Sequence, residues 1–128
     1  VNAIVVDTSA WISYFKKLEN EKISNALREG RVHLSPVVAA ELLSAKLSSN
    51  DHRKMVDFLN NLSLHPCPLA HWIKVGEIRR ELGKAGVHLS TPDAHIAQCA
   101  LDLDAELISE DKIFNFVTKN FGLKLSTN

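Results

Sequence analysis

The stretch Ala3-Ile4-Val5-Val6-Asp7-Thr8-Ser9-Ala10-Trp11 decides how the chain is read. A short apolar run ends at a carboxylate, two hydroxyl residues follow, and the pattern then turns helical. Small apolar and β-branched residues bounded by a polar turn predict a strand buried on both faces of a parallel sheet. In open α/β sheets ligands bind just outside the carboxyl ends of the strands, so Asp7 stands where a functional acid belongs. One acid decides little. The question is whether the rest of the chain delivers others to the same edge.

A length of 128 residues predicts one domain, 1–128, with a core large enough to fold without disulfides or a structural metal. Fifteen basic and fifteen acidic residues cancel, so no bulk field drives the chain onto nucleic acid or a membrane. Binding to a polyanion would have to come from a local patch. The two cysteines, Cys67 and Cys99, sit in unrelated contexts and predict a reducing compartment. No long apolar segment and no basic-then-apolar start is present, so neither a membrane span nor a signal peptide is expected, and the expected location is cytoplasmic.

Beyond the opening strand, Thr8 or Ser9 is expected to cap a short helix ending near Phe15 or Lys16. A second helix is read over 19–29, with Ile23, Ala26 and Leu27 inward and Gly30 as its stop. Val32-His33-Leu34 reads as a strand, and Ser35-Pro36 opens a helix with cap first and proline next, running to about Ser48. Met55, Phe58, Leu59 and Leu62 then repeat at helical spacing, and two prolines hold 64–68 extended. A longer helix from about Leu69 to Leu82 is expected to bury Trp72, Val75, Ile78 and Leu82. Ser90 or Thr91 caps a further helix with Pro92 at its start, running to about Leu103. Strand 106–109, helix 111–119 and a last edge strand 123–125 complete the chain. Strands alternating with helices predict a three-layer α/β/α domain around a short-stranded, central parallel sheet.

Three more acids join Asp7 in this scheme. Glu41 has Val37, Val38 and Ala45 at i−4, i−3 and i+4, which assigns it to an apolar stripe. Asp93 has Ile96, Ala97, Ala100 and Leu101 at i+3, i+4, i+7 and i+8, with the same implication. Charges on such stripes are rare unless they are paired or ligate something. Asp111 follows its strand as Asp7 follows the first, and parallel strands put both ends on one edge. Each acid alone has a structural alternative: a helix cap for Asp111, a helix-dipole partner for Asp93, a buried ion pair for Glu41. Their coincidence favours a site.

Two carboxylates about 5 Å apart repel by about 3 kcal/mol at an effective dielectric of about 20. Several together raise one another's pKa values or disrupt the site unless a cation is present. All-oxygen ligation favours a hard divalent ion, Mg²⁺ or Mn²⁺. Such ions activate water and steady charge on a phosphoryl group, which points to metal-assisted hydrolysis of a phosphodiester. The acids would themselves repel a phosphate backbone, so the cation serves binding as well as chemistry.

Val5-Val6-Asp7-Thr8-Ser9, Ala40-Glu41-Leu42, Thr91-Pro92-Asp93-Ala94-His95-Ile96-Ala97 and Leu107-Ile108-Ser109-Glu110-Asp111-Lys112-Ile113-Phe114 together resemble the PIN-domain family. Within it, they are most similar to the VapC-type toxins of toxin–antitoxin pairs, across essentially the whole chain. The resemblance implies a PIN fold, Mg²⁺- or Mn²⁺-dependent endoribonuclease activity on RNA, a homodimer, and a cognate antitoxin as partner. By position it implies Asp7 and Asp93 as direct metal ligands, with Glu41 and Asp111 binding directly, through water or to a second ion. Ser9 and Ser109 would hydrogen-bond and orient those carboxylates. Two positions depart from the family pattern: Ile113 stands where a second acid is common, and Gln98 replaces a small residue. Neither removes a member of the quartet.

Other features are read more plainly. His65, Cys67 and His71 lie near one another, but their spacing matches no common structural zinc site and a fourth ligand is missing. His95, two residues from Asp93, is expected at the surface or in support of the site, and Cys99 in the core. Arg53-Lys54 and Arg79-Arg80 with Lys84 are either RNA-phosphate contacts or solvated faces with partners such as Asp57. Trp11, Tyr14 and Phe15 are either core or a partner-facing surface. A phospho-acceptor receiver domain leaves Glu41 and Asp93 unexplained. A haloacid-dehalogenase-type phosphatase needs an acid where Ser9 stands. A housekeeping RNA-processing nuclease, or a PIN-like module without catalysis, is separated from a toxin only by assay.

Overall fold

The computed structural model describes residues 2–16 and 19–126. Among these residues five parallel strands form one sheet in the order β3-β2-β1-β4-β5, where β1 is Ile4–Val6, β2 Val32–Leu34, β3 Ser63–Leu64, β4 Glu106–Ile108 and β5 Lys124–Ser126. All three residues of β1 are buried, so both faces of the central strand are covered, as its unbroken apolar run requires. The edge strands differ: β3 is exposed along its length and β5 is only partly covered. The chain spreads one way from β1 to β2 and β3, then crosses back to β4 and β5. That reversal puts a topological switch between β1 and β4, the place where doubly wound sheets open a crevice at their carboxyl edge.

Among the described residues, seven α-helices connect the strands: α1 Thr8–Phe15, α2 Glu21–Arg28, α3 Pro36–Leu43, α4 Ser49–Asn60, α5 Leu69–Lys84, α6 Thr91–Asp102 and α7 Asn115–Phe121. The three-layer α/β/α architecture matches the sequence reading. Caps explain most of the helix starts. Asn20, Ser35, Ser48 and Ser90 each accept a backbone N–H of the first turn, and proline follows Ser35 directly. At α1 the cap is neither Thr8 nor Ser9 but Asp7 itself, whose side chain accepts from the Thr8 N–H at 2.8 Å. Gly122, at φ 71°, ends α7 in the left-handed conformation that glycine adopts without steric cost.

Two boundaries and one burial differ from the sequence reading. α3 stops at Leu43 rather than near Ser48, and Ala45 is exposed. The last helix opens as a 3₁₀ turn, Lys112–Phe114, before α7 begins. Trp72 is 38 % exposed rather than buried, because α5 turns Val75, Ile78 and Leu82 inward and leaves the indole at the margin. Trp11 joins the core: it is 1 % exposed, stacks on Phe15 and meets Phe58 edge-on. Phe15 and Ile12 remain partly exposed beside it. No helix of the described residues is long and apolar enough to cross a membrane.

The interior position of β4 has a measurable counterpart. Leu107, fully buried there, is expected to cost about 2–5 kcal/mol when truncated to alanine. Leu64→Ala on the exposed edge strand β3 should change stability by no more than about 0.5 kcal/mol. Urea unfolding of the two variants checks this, and equal losses would contradict the strand order.

Candidate functional site

The register of the sheet builds the centre of the site. Val6 pairs with Ile108, so one residue further Asp7 and Ser109 stand side by side where β1 and β4 end. The Asp7 N–H continues the ladder by donating to the Ile108 carbonyl at 2.9 Å. The Asp7 carboxylate is buried, at 6 % exposure, and collects three donors: Ser109 Oγ at 2.8 Å, Thr8 N at 2.8 Å and Ser9 Oγ at 3.2 Å. Burial raises its pKa above the ordinary 3.8, those three hydrogen bonds pull the other way, and the Glu41 charge adds to the rise.

The same two serines tie in the second strand end. Ser109 Oγ, while donating to Asp7, accepts the Asp111 N–H at 3.0 Å. Ser9 Oγ accepts the Glu110 N–H at 3.3 Å. Asp111 Oδ1 accepts from the Ile113 N–H at 3.0 Å, so it caps the 3₁₀ turn that follows. The capping alternative for Asp111 is thus fulfilled, and its side chain remains exposed at the strand edge. Glu110 is exposed as well.

Asp93 reaches the edge from α6, in whose first turn it lies, and is half-buried. Its backbone N–H is held by the Ser90 cap at 3.2 Å, and Arg79 Nε fixes the preceding turn by donating to the Leu89 carbonyl at 2.9 Å. Burial raises the Asp93 pKa; the Ser90 hydrogen bond opposes this, and the charges of Asp7, Asp111 and Glu41 reinforce it. That one carboxylate responds to the other three places all four acids within electrostatic reach. From residues 7 to 111 the chain brings them to one edge.

Glu41 is where sequence reasoning fails. It is exposed, not part of a buried stripe. The inward face of α3 is set by Val38 and Leu42, and Glu41 sits one residue off it, at the rim. Thr8 positions it instead, donating its hydroxyl to Glu41 Oε1 at 2.6 Å. Nor does Asp93 lie on a stripe, because α6 is buried all round from Ala94 to Ala100. Thr8 is the supporting residue that the sequence reading passed over; its place beside Asp7 was the available signal.

Among the described residues, none of the four carboxylates has a lysine, arginine or histidine within ion-pair distance. Nor do any three of them form a group tight enough to hold an ion unaided. An all-oxygen donor set, unneutralised and spread across a crevice, fits a hard divalent cation that keeps part of its water shell. The N-terminal ends of α1 and α6 add partial positive charge next to Asp7 and Asp93.

The basic groups are solvated or occupied locally. Arg53 donates to Asn50 rather than pairing with Asp57, and Lys84 pairs with Glu81 at 3.0 Å. His95, expected at the surface or beside the acids, is fully buried on another side of α6.

A profile of the PIN domain matches residues 4–120. Two curated relatives, a VapC ribonuclease of Mycobacterium bovis and ribonuclease VapC11 of Mycobacterium tuberculosis, are each 27% identical over 131 residues, covering 97% of this chain and 98% of theirs. Among solved structures, DNA-bound VapBC from Salmonella typhimurium superposes with a TM-score of 0.81 at 20% identity, covering 99% of this chain and 98% of that one. VapBC2 from Rickettsia felis, bound to a promoter DNA fragment, gives 0.78 at 20% identity over 98% of both chains. At that identity the structures speak for the fold, and the profile speaks for the family. The chain belongs to the PIN-domain family.

Proposed function

We propose that this chain is a divalent-metal-dependent endoribonuclease that hydrolyses RNA phosphodiester bonds, and that it is the toxin of a toxin–antitoxin pair. The observation that carries the reading is the convergence of Asp7, Glu41, Asp93 and Asp111 at the β1/β4 switch point without a basic partner among the described residues. Membership of the PIN family and similarity to VapC ribonucleases support the RNA substrate. The VapBC complexes among the structural neighbours support a cognate antitoxin. In this reading the chain is a single PIN domain that works in the cytoplasm as a homodimer, as the family resemblance implies.

Asp7 and Asp93 would hold Mg²⁺ or Mn²⁺ directly, with Glu41 and Asp111 contributing directly or through water. When bound, the ion supplies positive charge against the phosphodiester and makes a coordinated water more acidic. The protein's own part is positioning. Ser109 and Ser9 aim the Asp7 carboxylate while holding the backbone of Asp111 and Glu110. Thr8 steadies Glu41 at the rim, and the Ser90 cap fixes the turn that presents Asp93. Burial of Asp7 keeps one side of the site dry, which strengthens its attraction for a cation.

Asp93→Asn is expected to abolish metal-dependent RNA cleavage while leaving the circular dichroism spectrum unchanged. Wild-type cleavage should need Mg²⁺ or Mn²⁺ and stop in EDTA. RNA cleavage by Asp93→Asn at the wild-type rate would sink the assignment.

The raised carboxylates also set a pH dependence. A group whose pKa is higher folded than unfolded contributes stability that is present below its unfolded pKa and lost as pH rises through its folded pKa. In EDTA, therefore, Asp93→Asn should melt at a higher temperature than wild type at about pH 7, with the difference vanishing near about pH 4. Adding Mn²⁺ at neutral pH should raise the wild-type melting temperature more than that of the variant.

A further inference from the structure

A second cluster of chemistry-bearing side chains lies where the segment after β3 meets α5 and α6. His65, Cys67, His71 and Cys99 each present a ligand atom there, and the four atoms lie within 4.8 Å of one another. The first three are close in sequence. The fourth arrives from the next helix, which is why the sequence alone lacked it. At about 100° per residue, Cys99 and Asp102 lie roughly 240° and 180° around α6 from Asp93, so the cluster is separate from the acidic edge.

Two thiols and two imidazoles form the donor set of tetrahedral zinc sites, and they discriminate against the hard ions that an all-oxygen site prefers. Two thiolates cancel the charge of a zinc ion, leaving a neutral centre, which a buried position requires. His65, His71 and Cys99 are buried, and Cys67 is half-buried.

The hydrogen bonds around the cluster are arranged for ligation. Asp102 Oδ2 stands 3.0 Å from His65 Nε2 and 2.6 Å from His71 Nδ1. Gln98 Nε2 donates to the other oxygen, Oδ1, at 2.6 Å, so the carboxylate is placed to accept from every side chain around it. Both of those ring nitrogens therefore carry hydrogen. Their opposite nitrogens, His65 Nδ1 and His71 Nε2, are left with lone pairs. A carboxylate behind a histidine fixes the tautomer of zinc ligands in the same way.

His65 Nδ1 is the independent sign of a ligand. It is buried, in a residue 7 % exposed, and has no hydrogen-bond partner. Buried polar atoms without partners are rare and call for an explanation. His71 Nε2, by contrast, lies 2.8 Å from His95 Nδ1, and His95 Nε2 lies 2.7 Å from the Ser35 hydroxyl. With a lone pair on His71 Nε2, the His95 Nδ1–H is the donor of that bond, and His95 Nε2 accepts from the Ser35 hydroxyl. An ion on His71 Nε2 takes that lone pair and leaves the His95 N–H the Cys99 sulfur, 4.0 Å away, as its next acceptor.

We propose that His65, Cys67, His71 and Cys99 form a structural zinc site that ties the segment after β3 and the start of α5 to the middle of α6. Uptake displaces one proton from each thiol, two per zinc, and involves no oxidation.

The test uses the whole chain, chelator-treated, reduced and then supplied with zinc sulfate alone. One zinc per chain is expected to survive gel filtration, with a rise in melting temperature. Cobalt in place of zinc should give tetrahedral d–d bands with a thiolate charge-transfer band. Cys67→Ser should lose stoichiometric retention, and Asp102→Asn should weaken zinc affinity about 10- to 100-fold. Asp93→Asn should retain zinc as wild type does, which separates this site from the acidic edge. An octahedral cobalt spectrum, substoichiometric zinc in the reduced wild-type chain, or undiminished retention by a Cys67→Ser/His65→Gln double variant would overturn the site. So would a Cys67–Cys99 disulfide in protein isolated under reducing conditions. The cobalt spectrum of the wild type decides even if a variant fails to fold.

Discussion

The hydrogen bond from Ser109 Oγ to Asp7 Oδ2 joins the ends of two adjacent parallel strands, and the acidic edge is built outward from it. A carboxylate this buried is opposed by desolvation, and it persists because three donors converge on it. Those donors are not spare groups. Ser109 also holds the Asp111 backbone, Ser9 holds Glu110, and the Thr8 hydroxyl holds Glu41. Satisfying one buried charge thus positions much of what surrounds it. Local packing and site geometry are here the same set of contacts.

Much of this was legible in the sequence, and the part that was legible has a physical reason. A strand buried on both faces must be apolar throughout, so the stop at Asp7 marks its end without ambiguity. The Ser35-Pro36 and Ser90-Thr91-Pro92 signals give helix starts because cap chemistry is local. What failed was inference from periodicity within a helix. Val37, Val38 and Ala45 suggested a stripe containing Glu41, but the face that packs is set by Val38 and Leu42, and the helix ends before Ala45. On α6, buried nearly all round, a stripe has no meaning, so neither the half-burial of Asp93 nor the full burial of His95 was readable. The burial expected of Glu41 does not hold: it lies at the rim, placed by the Thr8 hydroxyl rather than by its apolar neighbours.

The histidine–cysteine cluster shows the complementary limit. Three of its members are visible as a short motif; the fourth is a core residue on another helix, and nothing local distinguishes it from a small hydrophobe. α6 carries both regions on different faces, Asp93 in its first turn and His95, Cys99 and Asp102 beyond it. His95 also touches Ser35, the cap of the helix that bears Glu41. The central helix is therefore a shared beam.

The central pairing has a consequence for synthesis. Asp7 and the Ser109 that orients it are 102 positions apart, and β1 gains its β4 neighbour only when that late segment is available. A ribosome making this chain releases Asp7 well before Ser109, with one edge of β1 still open and the acidic crevice lacking a wall. The crevice can close only after Asp111 has left the tunnel, and β5 then covers the free edge of β4. Whatever chemistry the edge performs, the order of translation withholds it until the segment around Asp111 has followed the first strand out.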